Sequence, residues 1–171
     1  KNNYILFVGT LQPRKNIVRL IEAFSDVIKD PSFTQNDINL VIVGKKGWQY
    51  EEILSAPEKY GVKDKVKFLD SVSNEDLPSF YQHAEFFILP SLYEGFGLPI
   101  LEAMNYGCPV IASNVSSLPE AGEDAALYID PKDTDDIAKK IEKRLTDDKL
   151  KDEMIKKGRE QVKKFSWEKA A

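Results

Sequence analysis

The chain has 171 residues, 42% hydrophobic and 30% charged, with a net charge of −4. That length holds one domain with a sizeable core. The acidic balance does not imply bulk nucleic-acid binding, and no apolar run approaches the roughly 20 residues of a membrane span. The single cysteine, Cys108, excludes an internal disulfide and fits a reducing compartment; in the apolar stretch "CPVIAS" it reads as a small core residue. No signal-peptide pattern opens the chain, and a start at Lys1 without methionine reads as a fragment or excised domain.

The first element is "YILFVG" (4–9), a continuous apolar run of the kind a strand shows when both faces are buried in a parallel sheet. Ile17, Leu20, Ile21, Phe24, Val27 and Ile28 then fall on one helical face, with Asn16 as the expected N-cap. "NLVIVG" (39–44) is the second buried strand, followed by a helix over 49–60. "KVKFLD" (65–70) is a weaker strand, shorter or nearer an edge, and a helix over 75–84 is opened by Asn74. "EFFILP" (85–90) is the third continuous run. Leu98 to Tyr106 is a short helix ended by Gly107, a residue suited to the C′ position. "PVIAS" (109–113) and the weaker "ALYID" (126–130) are the last strands. Ile137, Ile141 and Leu145 mark a further helix, and Lys149 to Lys164, charged all over, reads as a solvated surface helix. Strands alternating with helices predict an α/β fold, a doubly wound, Rossmann-like parallel sheet over residues 1–171.

In such folds ligands sit beyond the carboxyl ends of the strands, so the loops there carry the functional reading. "GTLQPRKN" (9–16) brings Arg14 and Lys15 to a helix N-terminus, where the macrodipole itself disfavours cations. The placement makes sense if an anion such as a diphosphate lies in front; two solvated surface cations are the plain alternative. Gly9 permits a tight turn. "GKKGWQY" (44–50) repeats the theme, with Gly44 read as allowing close approach of a ligand and Lys45, Lys46 and Trp48 as equally compatible with exposure. His83, the one histidine, reads as a helix residue without a catalytic part. "SLYEGFGLPILEAMNYGCPV" (91–110) places Glu94 in a loop and Glu102 one turn into the next helix. Between them, Gly95 and Gly97 allow close approach, and their N–H groups, with that of Leu98, crown the helix and read as a second anion cradle. Ser116, Ser117 and Glu120 read as residues that cap and turn the chain.

"EGFGLPILE" has the Glu-x7-Glu form of the retaining glycosyltransferases of family 4, and the chain resembles that family in order along its whole length. The matching stretches are "FVGTLQPRKN", "LVIVGKKGW", the run from "FLDSVSNEDL" to "AALYIDP", and the terminal "FSWEKAA". The resemblance implies the C-terminal half of a GT-B enzyme, which binds a nucleotide diphosphate sugar. It implies that Glu94 contacts the transferred sugar, that Glu102 accepts the ribose hydroxyls, and that Arg14 and Lys15 hold the diphosphate with help from the amides near Phe96, Gly97 and Leu98. Many members carry an arginine directly after the first-strand glycine, where this chain has Thr10. "GTLQPRKN" resembles a subset that includes mannosyltransferases, so GDP-mannose is the expected donor, with UDP-sugars open.

The same resemblance implies no cofactor and no metal, the basic loop standing in for a cation. It implies a glycan or lipid-linked acceptor held by an N-terminal domain outside this chain, a cytoplasmic enzyme, and room for peripheral membrane association of the full-length protein. Two other classes are weighed against it. A nucleotide-binding module without catalysis is opposed by the presence of Glu94, Glu102, Arg14 and Lys15. A receiver-like signalling domain would need an acidic cluster at the strand ends, and the first loop is basic.

Overall fold

The computed structural model describes residues 3–33 and 37–165. The described residues form six strands and seven α-helices, in the order β1 Asn3–Val8, α1 Ile17–Lys29, β2 Ile38–Val43, α2 Glu51–Lys59, β3 Val66–Leu69, α3 Leu77–His83, β4 Phe86–Leu89, α4 Leu98–Asn105, β5 Val110–Ser113, α5 Leu118–Gly122, β6 Ala126–Ile129, α6 Thr134–Thr146 and α7 Asp148–Val162. The strands form one sheet in the order β3-β2-β1-β4-β5-β6, and every pairing is parallel. This is the doubly wound α/β fold expected from the sequence.

The continuous apolar runs became the interior of the sheet. Ile5, Leu6 and Phe7 of β1 and all four residues of β4 have no exposed surface, because α1, α2 and α6 pack together on one side while α4, α5 and α7 pack together on the other. The two weaker runs, β3 and β6, are the edge strands, with half-buried patterns. Gly107, in the left-handed region at φ 72°, ends α4 by donating to the Met104 carbonyl at 3.0 Å.

Three expectations are corrected. Asn16 stands at the N-cap of α1 but makes no side-chain cap. At φ 59°, a conformation asparagine tolerates, its Nδ2 donates instead to the carbonyls of Pro90 at 3.0 Å and Pro131 at 2.7 Å. Asn74 does not open α3. Asp76 is the residue before it, held by a Ser73 hydroxyl that donates to its carboxylate at 2.7 Å. Third, α7 is not solvated all round: Met154, Gly158 and Gln161 are buried on the face that meets α4. Gly158 lets the backbones approach, since a Cβ there would stand 3.1 Å from Met104 Cγ. The stretch "FSWEKAA", apart from its first residue, lies outside the described residues.

Candidate functional site

The strand order reverses between β1 and β4, so the loops leaving their carboxyl ends diverge and open a crevice. The chain stitches the two loops together there. Leu92 N–H donates to the Arg14 carbonyl at 2.8 Å, Arg14 Nη1 donates to the Tyr93 carbonyl at 3.0 Å, and Asn16 joins the Pro90 carbonyl as described. Arg14 and Lys15 lie in a 3-10 turn, Pro13–Lys15, that precedes α1.

Both cations converge on Glu94. Lys15 Nζ donates to Glu94 Oε1, Arg14 Nη1 lies 3.2 Å from Oε2, and the fully buried Ser91 hydroxyl donates to Oε1 at 2.6 Å. Lys15 is 7% exposed and Glu94 8%. Charges buried to that degree need partners, because the desolvation cost is several kcal/mol per ion, on the order set by the interior dielectric. Burial alone would raise the Glu94 pKa; the hydrogen bonds from Lys15, Ser91 and Arg14, with the charge of Lys15, outweigh it and hold the carboxyl below its ordinary value. The arrangement leaves Arg14 half-exposed with donors free to meet an anion in the crevice.

The glycines divide by cause. Gly44 has a cause within the fold: it lies against the chain's own backbone, since a Cβ would stand 1.8 Å from the Gly9 carbonyl oxygen. The loops after β1 and β2 continue the parallel pairing, with Gly9 N–H donating to Val43 and Leu11 N–H to Lys45, both at 2.9 Å. Gly97 caps α4 in the left-handed region at φ 80°. Proline at position 99 has no N–H, and Ile100 N–H is used by the Gly97 carbonyl at 2.9 Å, which leaves the N–H groups of Gly97 and Leu98 at the head of α4 for the expected anion cradle. A Cβ at Gly95 would meet open space.

Thr10 is exposed beside this crevice. Phe96 and Leu98 are exposed too, and with Leu92 and Tyr93 they form an apolar rim. Lys46 lies over the Tyr50 ring at 5.5 Å, and Trp48 donates to Gln12 at 2.9 Å, so both face the loop rather than Glu94. Glu102, exposed in the second turn of α4, accepts the Tyr81 hydroxyl at 3.1 Å. Ser116 and Ser117 do more than turn the chain: the Ser116 hydroxyl accepts from Glu94 N–H at 3.5 Å, and the Ser117 hydroxyl donates to the Gly95 carbonyl.

Ser91, Asn16 as a loop brace, and Tyr81 were missed in the sequence. Ser91 had one legible signal, a hydroxyl directly after a fully apolar run. His83 lies at the opposite, amino ends of the strands, where it lines a surface groove of about 550 Å³ with Tyr4, Glu85 and Lys151. Cys108 is buried and its thiol is pushed up to about 12, chiefly by that burial, so it is a core residue as read. Among the described residues no group of three His, Cys, Asp or Glu side chains is placed to hold a metal ion, and no helix is long and apolar enough to cross a membrane.

The family model described as "Glycosyl transferases group 1" matches residues 1–161. The chain belongs to that family. Among curated relatives it is 42% identical over 165 residues to the O-antigen chain mannosyltransferase B of Escherichia coli, covering 96% of this chain and 42% of that protein. It is 38% identical over 169 residues to the serotype-specific mannosyltransferase WbdA of Escherichia coli, covering 97% of this chain and 20% of that one. The chain thus spans less than half the length of these relatives. A solved sucrose-phosphate synthase from Thermosynechococcus elongatus superimposes with a TM-score of 0.85 at 31% identity, over 99% of this chain and 43% of the other. The C-terminal domain of a group 1 glycosyltransferase from Francisella tularensis does so with a TM-score of 0.81 at 26% identity, over 96% and 85%. The sheet is that of a GT-B C-terminal domain.

Proposed function

We propose that this group 1 glycosyltransferase chain is the donor-binding half of a retaining enzyme that moves a sugar from a nucleoside diphosphate to a hydroxyl of a glycan or lipid-linked acceptor. The observation that carries the reading is the convergence of Arg14, Lys15 and Glu94 at the β1/β4 switch point. GDP-mannose is the proposed donor, on the "GTLQPRKN" loop and the mannosyltransferase names of two relatives. The acceptor is assigned to a second domain outside this chain, and the enzyme to the cytoplasm.

The hard step is breaking the bond between the anomeric carbon and the diphosphate oxygen. The electron pair leaves with the diphosphate while the sugar ring becomes cationic. Arg14, supported by Lys15 and by the N–H groups of Gly97 and Leu98, faces the developing negative charge and stabilises it without reorganisation. In this reading these groups replace a metal ion. The acceptor oxygen then bonds the anomeric carbon from the face the diphosphate left, and its proton departs with the leaving group.

Glu94 has two tasks. A carboxylate offers about four lone-pair sites. Ser91 and Lys15 use Oε1 and Arg14 uses one site on Oε2, which leaves Oε2 to receive a sugar hydroxyl. Glu94 therefore holds the cations at a fixed separation and presents one acceptor to the sugar. Glu102 receives the ribose hydroxyls.

The test is calorimetry of GDP and UDP on the complete protein, with and without EDTA, beside Arg14→Ala. Binding that survives the chelator and weakens by about 1.5–3 kcal/mol in the variant, the size of a charged hydrogen bond, is expected. Binding abolished by EDTA sinks the metal-free reading, and Arg14→Ala binding like wild type sinks the diphosphate assignment.

A further inference from the structure

Glu102 is a long, flexible side chain on the exposed side of α4. A carboxylate that must meet two ribose hydroxyls needs one rotamer. Its Cα–Cβ bond tilts toward the helix N-terminus, and so toward the crevice, but tilt alone leaves the outer torsions free. Tyr81 supplies the missing constraint. Its side chain has no exposed surface. Its ring stacks on Tyr106 at 5.9 Å and 15° and meets Phe87 edge-on at 5.6 Å, so it cannot swing. The hydroxyl emerges from this cluster and donates to Glu102 Oε2 at 3.1 Å. Burial, then the neighbouring Glu102 carboxylate, raises the Tyr81 pKa, so the hydroxyl keeps its proton. The bond takes one lone pair of Oε2 and leaves Oε1 available to another donor.

We propose that Tyr81 is a positioning residue: it anchors one oxygen of Glu102 so that the other is presented to the ribose hydroxyls of the nucleotide donor. The assignment rests on the ribose role given to Glu102 above. A buried tyrosine hydroxyl usually finds some acceptor, so the test must separate positioning from mere satisfaction. Ligand chemistry does this. GDP, UDP and ADP are titrated against the complete protein, and the tightest is taken forward beside its 2′,3′-dideoxy counterpart.

Tyr81→Phe keeps the ring packing and removes the hydroxyl. It is expected to weaken the ribose-bearing nucleotide about tenfold, the effect of one charge-assisted hydrogen bond, and to leave the dideoxy analogue unchanged. Glu102→Gln is expected to show the same ligand selectivity, and Tyr81→Phe/Glu102→Gln to be no worse than Glu102→Gln alone. Wild-type affinity in Tyr81→Phe, or equal losses on both ligands, overturns the positioning role while the ribose reading stands. Glu102→Gln that treats the two ligands alike overturns the ribose reading and this assignment with it, as does failure of all three nucleotides to bind. Should Tyr81→Phe not fold, Glu102→Asp withdraws the carboxylate from the hydroxyl by one methylene; the same selective loss is expected, and wild-type affinity overturns the proposal.

Discussion

Glu94 is buried between Lys15, Arg14 and Ser91, and its neutralisation exposes what the pair contributes. In Glu94→Gln the amide can still meet Ser91, but Lys15 keeps a buried charge with no counter-ion. Breaking a buried pair from one side costs about 3–5 kcal/mol, and a loss near the lower end is expected in urea unfolding, since Lys15 retains slight exposure. The sign of the pH dependence follows from the lowered Glu94 pKa. The unfolded chain binds the proton more readily, so the stabilisation is complete above the ordinary glutamate value of about 4.3 and is lost as pH falls through the lower folded value. Wild type and Glu94→Gln are therefore expected to differ most at neutral pH and to converge in acid; a constant difference across that range would contradict the assignment. The sequence made Glu94, Arg14 and Lys15 legible as a charged set at two strand ends. It did not show that they neutralise one another, because 79 residues separate Lys15 from Glu94 and only the β1/β4 pairing brings them together.

At the scale of elements, the glycines of the strand-end loops act through backbone spacing. The loops after β1 and β2 run so close that Gly44 has no room for a Cβ against the Gly9 carbonyl, whereas Gly95 in the loop before α4 faces open space. Gly44→Ala must displace the loop and is expected to cost about 1–3 kcal/mol or more, as overpacking does. Gly95→Ala should change stability by less than about 1 kcal/mol. Melting temperatures of the two variants check this; a larger loss at Gly95 than at Gly44 would mean that the strand-end packing is not as described. Both glycines look equivalent in the sequence, as residues that allow close approach beside basic or acidic neighbours. What separates them is the distance to another segment of chain, which no local pattern encodes. The face of α7 that carries Met154, Gly158 and Gln161 was hidden for a related reason: three small or polar-flanked positions among many lysines do not form a visible apolar stripe, and the segments packed against α7, α4 and the Ala121 carbonyl among them, select the face that is covered.

For the whole molecule, the sheet carries helices on both faces and a contiguous buried core, which is what an independently folding domain requires. The 171-residue chain by itself is expected to unfold in a single cooperative transition and to bind nucleoside diphosphate without transferring sugar, because holding the acceptor against the anomeric carbon is worth about 7–11 kcal/mol of the barrier. A radiolabelled donor assay on the chain beside the complete protein checks this, and comparable transfer by the two would place the acceptor site within these residues. The sequence by itself determined the fold class, since buried parallel strands must be continuously apolar and helices between them must be amphipathic; it also determined the loops at the strand ends and the identity of their charged residues. Only the tertiary structure decided which charges meet, which glycine answers to backbone and which to open space, and that Ser91, Asn16 and Tyr81 brace the site. Periodicity along a chain reports burial, whereas contacts between loops depend on the order in which the strands pair, and that order is a property of the folded sheet.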